Sequence, residues 1–186
     1  MSDALNDLIP AWVDGALQPV GKLDVHQRGL RHPAISVFIM ANDGSARTLI
    51  QRRALGKYHT PGLWANACCT HPHWGEAAPS AAMRRVGQEL GLMDLPLTRV
   101  GGQEYRADVG GGLIEHEVVD IFVGHLSPTA AIPFAVNEVM AVQWVTLDDL
   151  AARITAAPAD FSPWLKIYLA QGWGEIAARP TPKNAA

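Results

Sequence analysis

Residues 60–76, TPGLWANACCTHPHWGE, bring two adjacent thiols, two imidazoles, a carboxylate and two indoles into one segment punctuated by proline and glycine. Cys69 stands two residues before His71. In extended backbone, residues i and i+2 point to the same side, so this thiol and this ring are expected to be neighbours. A thiol in polar company serves as nucleophile or proton donor according to its charge state. This segment is the expected seat of the chemistry.

A second group lies at Glu115-His116-Glu117, just after Gly110-Gly111-Gly112. Extended backbone places the two carboxylates on one face and His116 on the other. Same-side carboxylates repel unless a cation lies between them. A solvated strand edge is the other reading that the spacing allows. His26 and His32 precede an apolar run that begins at Ala34. With His71, Glu115 and Glu117 they make a plausible metal-ligand set. Imidazole with carboxylate suits Zn, Mn or Fe, and more than four N/O ligands favour octahedral Mn or Mg over tetrahedral Zn. His73 and His125 show no partner pattern and are expected to be structural. A zinc knuckle built from Cys68, Cys69, His71 and His73 is disfavoured, because structural zinc ligands come as spaced pairs such as C-x-x-C.

Among the cations, Arg85 lies four residues before Glu89 on an expected helix. In that order a surface ion pair is the weaker orientation, which tilts the reading toward separate jobs. Lys22, Arg53 and Lys57 flank the same loops, either as solvated cations or as holders of phosphate. Trp64, Trp74 and Trp164 suit a core. Trp164, which follows Phe161 and Pro163, also suits the cap of a pocket, where an aromatic face stabilises a cationic centre.

These groups need elements to hold them. Residues 34–40, AISVFIM, read as a central strand, Asn42-Asp43-Gly44 as a hairpin turn, and residues 48–53 as its partner strand. Residues 101–106, 116–126 and 139–145 read as further strands. Residues 78–90 read as a helix with Pro79 in its first turn, an apolar stripe of Met83, Val86 and Leu90, and Gly91 just past its end. Thr146 and Asp149 resemble a capping box that opens a second helix, and residues 162–170 suit a third. Helices and strands mixed in this way, with hairpin-like connections, imply α/β or α+β with a mixed sheet.

The 186 residues fit one domain with a sizeable core. A net charge of −3 and the lack of any Lys/Arg run argue against a nucleic-acid partner, while a small anionic ligand fits. The longest nearly apolar run, residues 34–41, is too short to span a bilayer. No signal peptide is expected, nor a membrane or protein partner. The two cysteines are neighbours in sequence, which suits free thiols in a reducing cytoplasm. The tail at 179–186 is expected to be disordered.

Five motifs in order carry a family resemblance: KLDVHQRGLRHPAISVF, QRRALGKYHTPGLWANACCTHPHWGE, RRVGQELG, YRADVGGGLIEHE and FSPW, spread over residues 22–164. Together they resemble the type I isopentenyl diphosphate isomerases, whose fold is that of the Nudix superfamily. The resemblance implies a Nudix-like mixed sheet flanked by helices, with one isomerase domain over residues 1–178. It implies Cys69 and Glu117 as catalytic groups, with Tyr105 beside Glu117. It implies His26, His32, His71, Glu115 and Glu117 as ligands of one divalent metal, Mn²⁺, Mg²⁺ or Zn²⁺. Glu89 matches a ligand of Mg²⁺ that arrives with the substrate diphosphate. Lys22, Arg53, Lys57 and Arg85 match residues that hold the diphosphate, and Trp164 matches the aromatic residue facing a carbocation. The implied substrates are isopentenyl and dimethylallyl diphosphate. Thr70 departs from the glycine usual after the catalytic cysteine, and His116 from the Asn or Tyr often found there.

The Nudix hydrolase box offers a contrast. Aligned on Gly91, this chain has Thr70 for the first glycine, Glu76 and Arg84 in place, Arg85 and Gln88 where the box has carboxylates, and Glu89 retained. Hydrolysis needs several carboxylates to gather metal ions. Arginine in that place suits holding a diphosphate. A Nudix-type pyrophosphohydrolase is therefore the second reading, and a non-enzymatic metal-binding domain the third.

Overall fold

The computed structural model describes residues 7–178; the tail expected to be disordered, 179–186, lies outside the described residues. Strands β1 (Leu8–Val13) and β2 (Ala16–Gly21) form an antiparallel hairpin. The turn is Asp14-Gly15, with φ of 50° and 81°, the conformation that an Asp-Gly hairpin requires. Pro10 faces Pro19 across this two-stranded sheet, where missing N–H groups are tolerated. Helix α1 (Lys22–Arg28) follows and closes at Gly29, φ 59°, with Leu30 N–H donating to Val25 O. Neither the hairpin nor α1 is among the elements expected from sequence.

The main sheet has seven strands and is mixed. At its centre β3 (His32–Ala41) runs parallel to β8 (Leu113–Leu126), and β8 pairs antiparallel with β7 (Thr98–Gly110). On its other side β3 meets β4 (Arg47–Arg53) at a single registered pair, Met40 with Thr48. The expected hairpin therefore forms but splays. Beyond that pair β4 turns to β5 (Trp64–Asn66) and β3 to β6 (Cys68–Thr70), while β9 (Val139–Thr146) lines the outer edge of β4. The Asn66 amide pins the split. Its Nδ2 lies within hydrogen-bonding distance of Ser36 Oγ (2.9 Å), Val37 O (3.0 Å) and Cys68 O (3.1 Å).

Side-chain alternation gives the sheet two buried faces. Ile35, Val37, Ile39 and Cys68 pack under α2 (Ala78–Leu90). Phe38, Met40, Val119 and Ile121 pack under α3 (Leu147–Ala156), α4 (Pro163–Ala170) and α5 (Trp173–Ala178). Helix α2 has the expected bounds, but its stripe is Ala82, Val86 and Leu90; Met83 is 49% exposed and not part of it. Val86 and Leu90 keep their expected places, and Ala82 is buried where Met83 was expected. Thr146 caps α3 as expected, its Oγ1 accepting from Asp149 N–H at 3.1 Å. Among the described residues no helix is long and apolar enough to cross a membrane.

Candidate active site

The register of the central strands builds the site. His32 stands opposite Glu117 across β3 and β8, and Glu117 stands opposite Tyr105 across β8 and β7. This row, His32–Glu117–Tyr105, lies on the face under α4. Glu115 is two residues earlier on the same face, and His116 points the other way toward Glu104, 3.3 Å from its Oε1. Cys69 pairs with Ser36 of β3 and faces the same side as His32, while Cys68 packs beneath α2. The solvated-edge reading of the two carboxylates fails: Glu115 is 2% exposed and Glu117 7%.

The ligand atoms of His26, His32, His71 and Glu115 lie within 4.8 Å of one another, all in buried residues. His26 Nδ1–H donates to Lys22 O at 2.5 Å and His32 Nδ1–H to Leu30 O at 2.7 Å, because a carbonyl only accepts. In its neutral form each ring therefore turns an Nε2 lone pair inward. These nitrogens approach Glu115 Oε2 at 3.2 Å and 3.6 Å, yet His26 Nε2, His32 Nε2 and Glu115 Oε2 are buried without a hydrogen-bond partner. Converging lone pairs with no proton between them are costly without a cation. The donor set fits a divalent metal of the Mn, Zn or Mg class. Glu117 divides its oxygens. Oε1 meets His71 Nε2 at 3.0 Å, and Oε2 accepts from the Tyr105 hydroxyl at 2.6 Å.

The Cys69 thiol donates to Asn66 Oδ1 at 3.2 Å. Burial, with the charge of Glu117, pushes it up to about 12, so it rests protonated. Trp164 is 3% exposed. It is held in place because Ser162 N–H donates to Trp64 O at 2.8 Å, anchoring the start of α4 to β5. Trp64 itself packs against the core, whereas Trp74 is 48% exposed and belongs to no core.

One cavity of about 350 Å³ joins these groups to a cationic wall. Cys69, Tyr105, Glu117 and Trp164 line it together with Lys22, Arg53, Lys57 and Arg85. Burial, then the charges of Arg85 and Lys57, lower Lys22 to about 8. Arg85 does pair with Glu89, at 2.7 Å, so the expectation of separate jobs for these two is corrected; Glu89 is buried and Arg85 partly buried, so this is not a plain surface pair. Lys57 reaches Glu89 at 3.1 Å and Gln51 Nε2 at 2.8 Å completes its cage. Burial opposes ionisation of Glu89, but Arg85 and Lys57 prevail and bring it to about 2. Glu89 is thus engaged by Lys57, Arg85 and Gln51 and is not among the clustered ligand atoms of the His/Glu group.

Three neighbours escaped the sequence reading. Glu138 pairs with Lys57 and, at 2.6 Å, with Arg85. Asn66 holds the thiol. His59 faces Glu115 Oε1 at 3.2 Å. Each stands in or next to a quoted motif or strand, but none repeats a ligand spacing. His73 lies at the cavity rim, 47% exposed in its side chain and 3.8 Å from Asp7 Oδ2, outside the cluster.

The NUDIX domain model matches residues 30–165. A relative from Jannaschia sp., an isopentenyl-diphosphate Delta-isomerase, is 61% identical over 87% of this chain and 90% of its own length. The chain belongs to the isopentenyl-diphosphate Delta-isomerase family. A second member, from Cereibacter sphaeroides, is 58% identical over 88% of this chain and 91% of its own length. Solved structures share the fold of this isomerase-family chain at lower identity. A Deinococcus radiodurans protein superposes with a TM-score of 0.68 at 17% identity, covering 92% of this chain and 99% of that one. A Nudix hydrolase from M. smegmatis gives 0.59 at 20% identity, covering 83% and 91%.

Proposed function

We propose that the protein interconverts isopentenyl and dimethylallyl diphosphate by adding a proton to one end of the double-bond system and removing one from the other, with residues 1–178 as the working domain. One observation carries the reading: a protonated thiol and a Tyr105-bonded carboxylate line the same cavity as four basic side chains. Lys22, Arg53, Lys57 and Arg85 supply charge for a diphosphate. Mg²⁺ travelling with that diphosphate would meet the Glu89 carboxylate. Cys69 and Glu117 come from different strands, so they can address two carbons of a short chain from different sides. Their roles exchange when the reaction reverses. The intermediate is a tertiary carbocation, which water would trap, and burial of the site excludes water. The Trp164 indole offers its ring to that cation.

His26, His32, His71, Glu115 and Glu117 would hold one divalent ion, of which Mn²⁺, Mg²⁺ and Zn²⁺ suit the donors. Bound there, it supplies positive charge that lets Glu115 and Glu117 coexist and fixes the orientation of Glu117. The hydrolase reading is disfavoured by α2, where Arg85 and Gln88 stand in place of carboxylates and Glu89 is engaged by cations. Incubation with isopentenyl diphosphate and Mg²⁺ tests the choice. Dimethylallyl diphosphate without free phosphate is expected; steady release of phosphate would overturn it.

A further inference from the structure

His59 has no role in the chemistry above, yet both of its ring nitrogens are engaged by working parts of the site. It sits 8% exposed in the segment between β4 and β5. Its Nδ1 faces Arg53 Nη2 at 3.3 Å and Thr60 Oγ1 at 3.1 Å. A guanidinium only donates, so Nδ1 is the acceptor and the ring proton resides on Nε2. That Nε2 stands 3.2 Å from Glu115 Oε1, an ion-pair contact rather than an aligned hydrogen bond. His26 and His32 stand in the opposite arrangement. Their Nδ1–H groups are spent on backbone carbonyls, so that in the neutral rings the Nε2 lone pairs turn toward Glu115 Oε2. One oxygen of Glu115 thus faces lone pairs that a metal would satisfy, and the other faces a donor. His59 cannot join the ligands without giving up Arg53.

The backbone is shaped for this. Thr60 is a buried non-glycine residue at φ 47°, a conformation that persists only where the surroundings impose it. Arg53 imposes it, donating from Nε to Thr60 O and from Nη2 to His59 O, both at 3.2 Å. The ring is wedged between Tyr58 and Trp164, with centroids 4.3 Å and 5.8 Å away. Ring orientation, tautomer and height above Glu115 are all fixed.

We propose that His59 is a positioning residue that holds Glu115 for the metal and ties that carboxylate to Arg53 at the diphosphate end. The inference rests on the reading of His26, His32, His71 and Glu115 as a metal site. Outer partners of a metal ligand set metal affinity, and losing one typically costs about 10–100-fold. The chain Arg53–His59–Glu115 also gives the diphosphate end a structural route to the metal end, since whatever reorients Arg53 disturbs the ring that faces Glu115.

The test is Mn²⁺ binding to metal-stripped protein with no diphosphate present, read from the electron paramagnetic resonance signal of the free ion. His59→Phe keeps an aromatic ring between Tyr58 and Trp164 but removes both nitrogens, and it should weaken Mn²⁺ binding by about 10–100-fold. His59→Gln, whose amide offers one donor and one acceptor, should recover most of that loss. Arg53→Met decides against simple electrostatics. Removing a nearby cation should tighten binding of Mn²⁺, whereas loss of the Nδ1 partner frees the His59 tautomer and should weaken it. Tighter binding in Arg53→Met, or wild-type affinity in His59→Phe, overturns the proposal. If His59→Phe fails to fold, the Arg53→Met and His59→Gln results still decide it. Wild-type protein that binds no Mn²⁺ removes the metal reading itself, and His59's role with it.

Discussion

At the scale of single residues, neighbouring side chains of one type have opposite fates. Cys68 is fully buried under α2 and burial pushes its thiol well up, whereas Cys69 opens onto the cavity. Cys69→Ala should therefore abolish nearly all turnover while the protein still binds substrate, and Cys68→Ala should keep most of its rate. Steady-state kinetics on the two variants check this, and the reverse ranking discards the assignment. Lys22 gives a pH prediction. Its folded value, about 8, lies below the ordinary 10.5 because the group is buried and faces Arg85 and Lys57. Above pH 8 the folded protein loses this charge, so affinity for a diphosphate should fall. Inorganic pyrophosphate titrated calorimetrically at pH 7 and pH 9 should show that decline in the wild type and much less of it in Lys22→Met. The same depression has a stability consequence. Between about pH 8 and 10.5 the unfolded chain holds a proton that the folded one lacks, so this group favours folding increasingly as pH rises through that window.

At the scale of elements, strand register sets the geometry of the site and helix termini fix the register of the layers. The split between β3 and β4 opens the wedge in which β6 presents Cys69, and Asn66 spans it with bonds to Ser36, Val37 and Cys68. Helix α2 is aligned by its last turn. Gly91 adopts φ 70°, and a Cβ there would sit 2.6 Å from Pro133 Cγ and 2.8 Å from its carbonyl oxygen. Gly91→Ala should therefore strain both the backbone and the contact, costing about 2 kcal/mol. For a chain of this size that is a fall of roughly 4–8 °C in melting temperature. Since Glu89 lies two residues before Gly91, pyrophosphate affinity should fall as well. An unchanged melting point would show that the Pro133 segment yields freely.

At the scale of the whole molecule, the fold gathers two sets of groups into one cavity: the Cys69 thiol and Glu117 carboxylate on the α4 side of the sheet, and the cationic side chains near the end of α2. This predicts an exchange experiment. In deuterated water with Mg²⁺, isopentenyl diphosphate should gain deuterium at carbons flanking the double bond, followed by mass spectrometry, with no inorganic phosphate released. Phosphate release without deuterium uptake would reassign the cavity to hydrolysis. Addition of a strong chelator should stop deuterium uptake, and Mn²⁺ or Mg²⁺ should restore it, because Glu115 Oε2 and the Nε2 atoms of His26 and His32 are buried together without a hydrogen-bond partner.

The sequence by itself determined the strand core, helix α2 with its glycine stop, the α3 cap, and the placement of Glu115 and Glu117 on one face. These follow from local rules: side chains alternate along a strand, and caps are read within a few residues. It also displayed the motifs of the isomerase family, which the relatives share. The β1–β2 hairpin was masked by Pro10 and Pro19, which weaken a strand signal, although Asp14-Gly15 announced the turn. The outward turn of Met83, the burial of Glu89 against Arg85 and the arrival of Glu138 beside them were settled by packing between distant segments. The proton assignment on His59 belongs with them. Its two partners lie 6 and 56 residues away in the chain, and only the closure of the β4–β5 segment over β8 brings Arg53 to one ring nitrogen and Glu115 to the other.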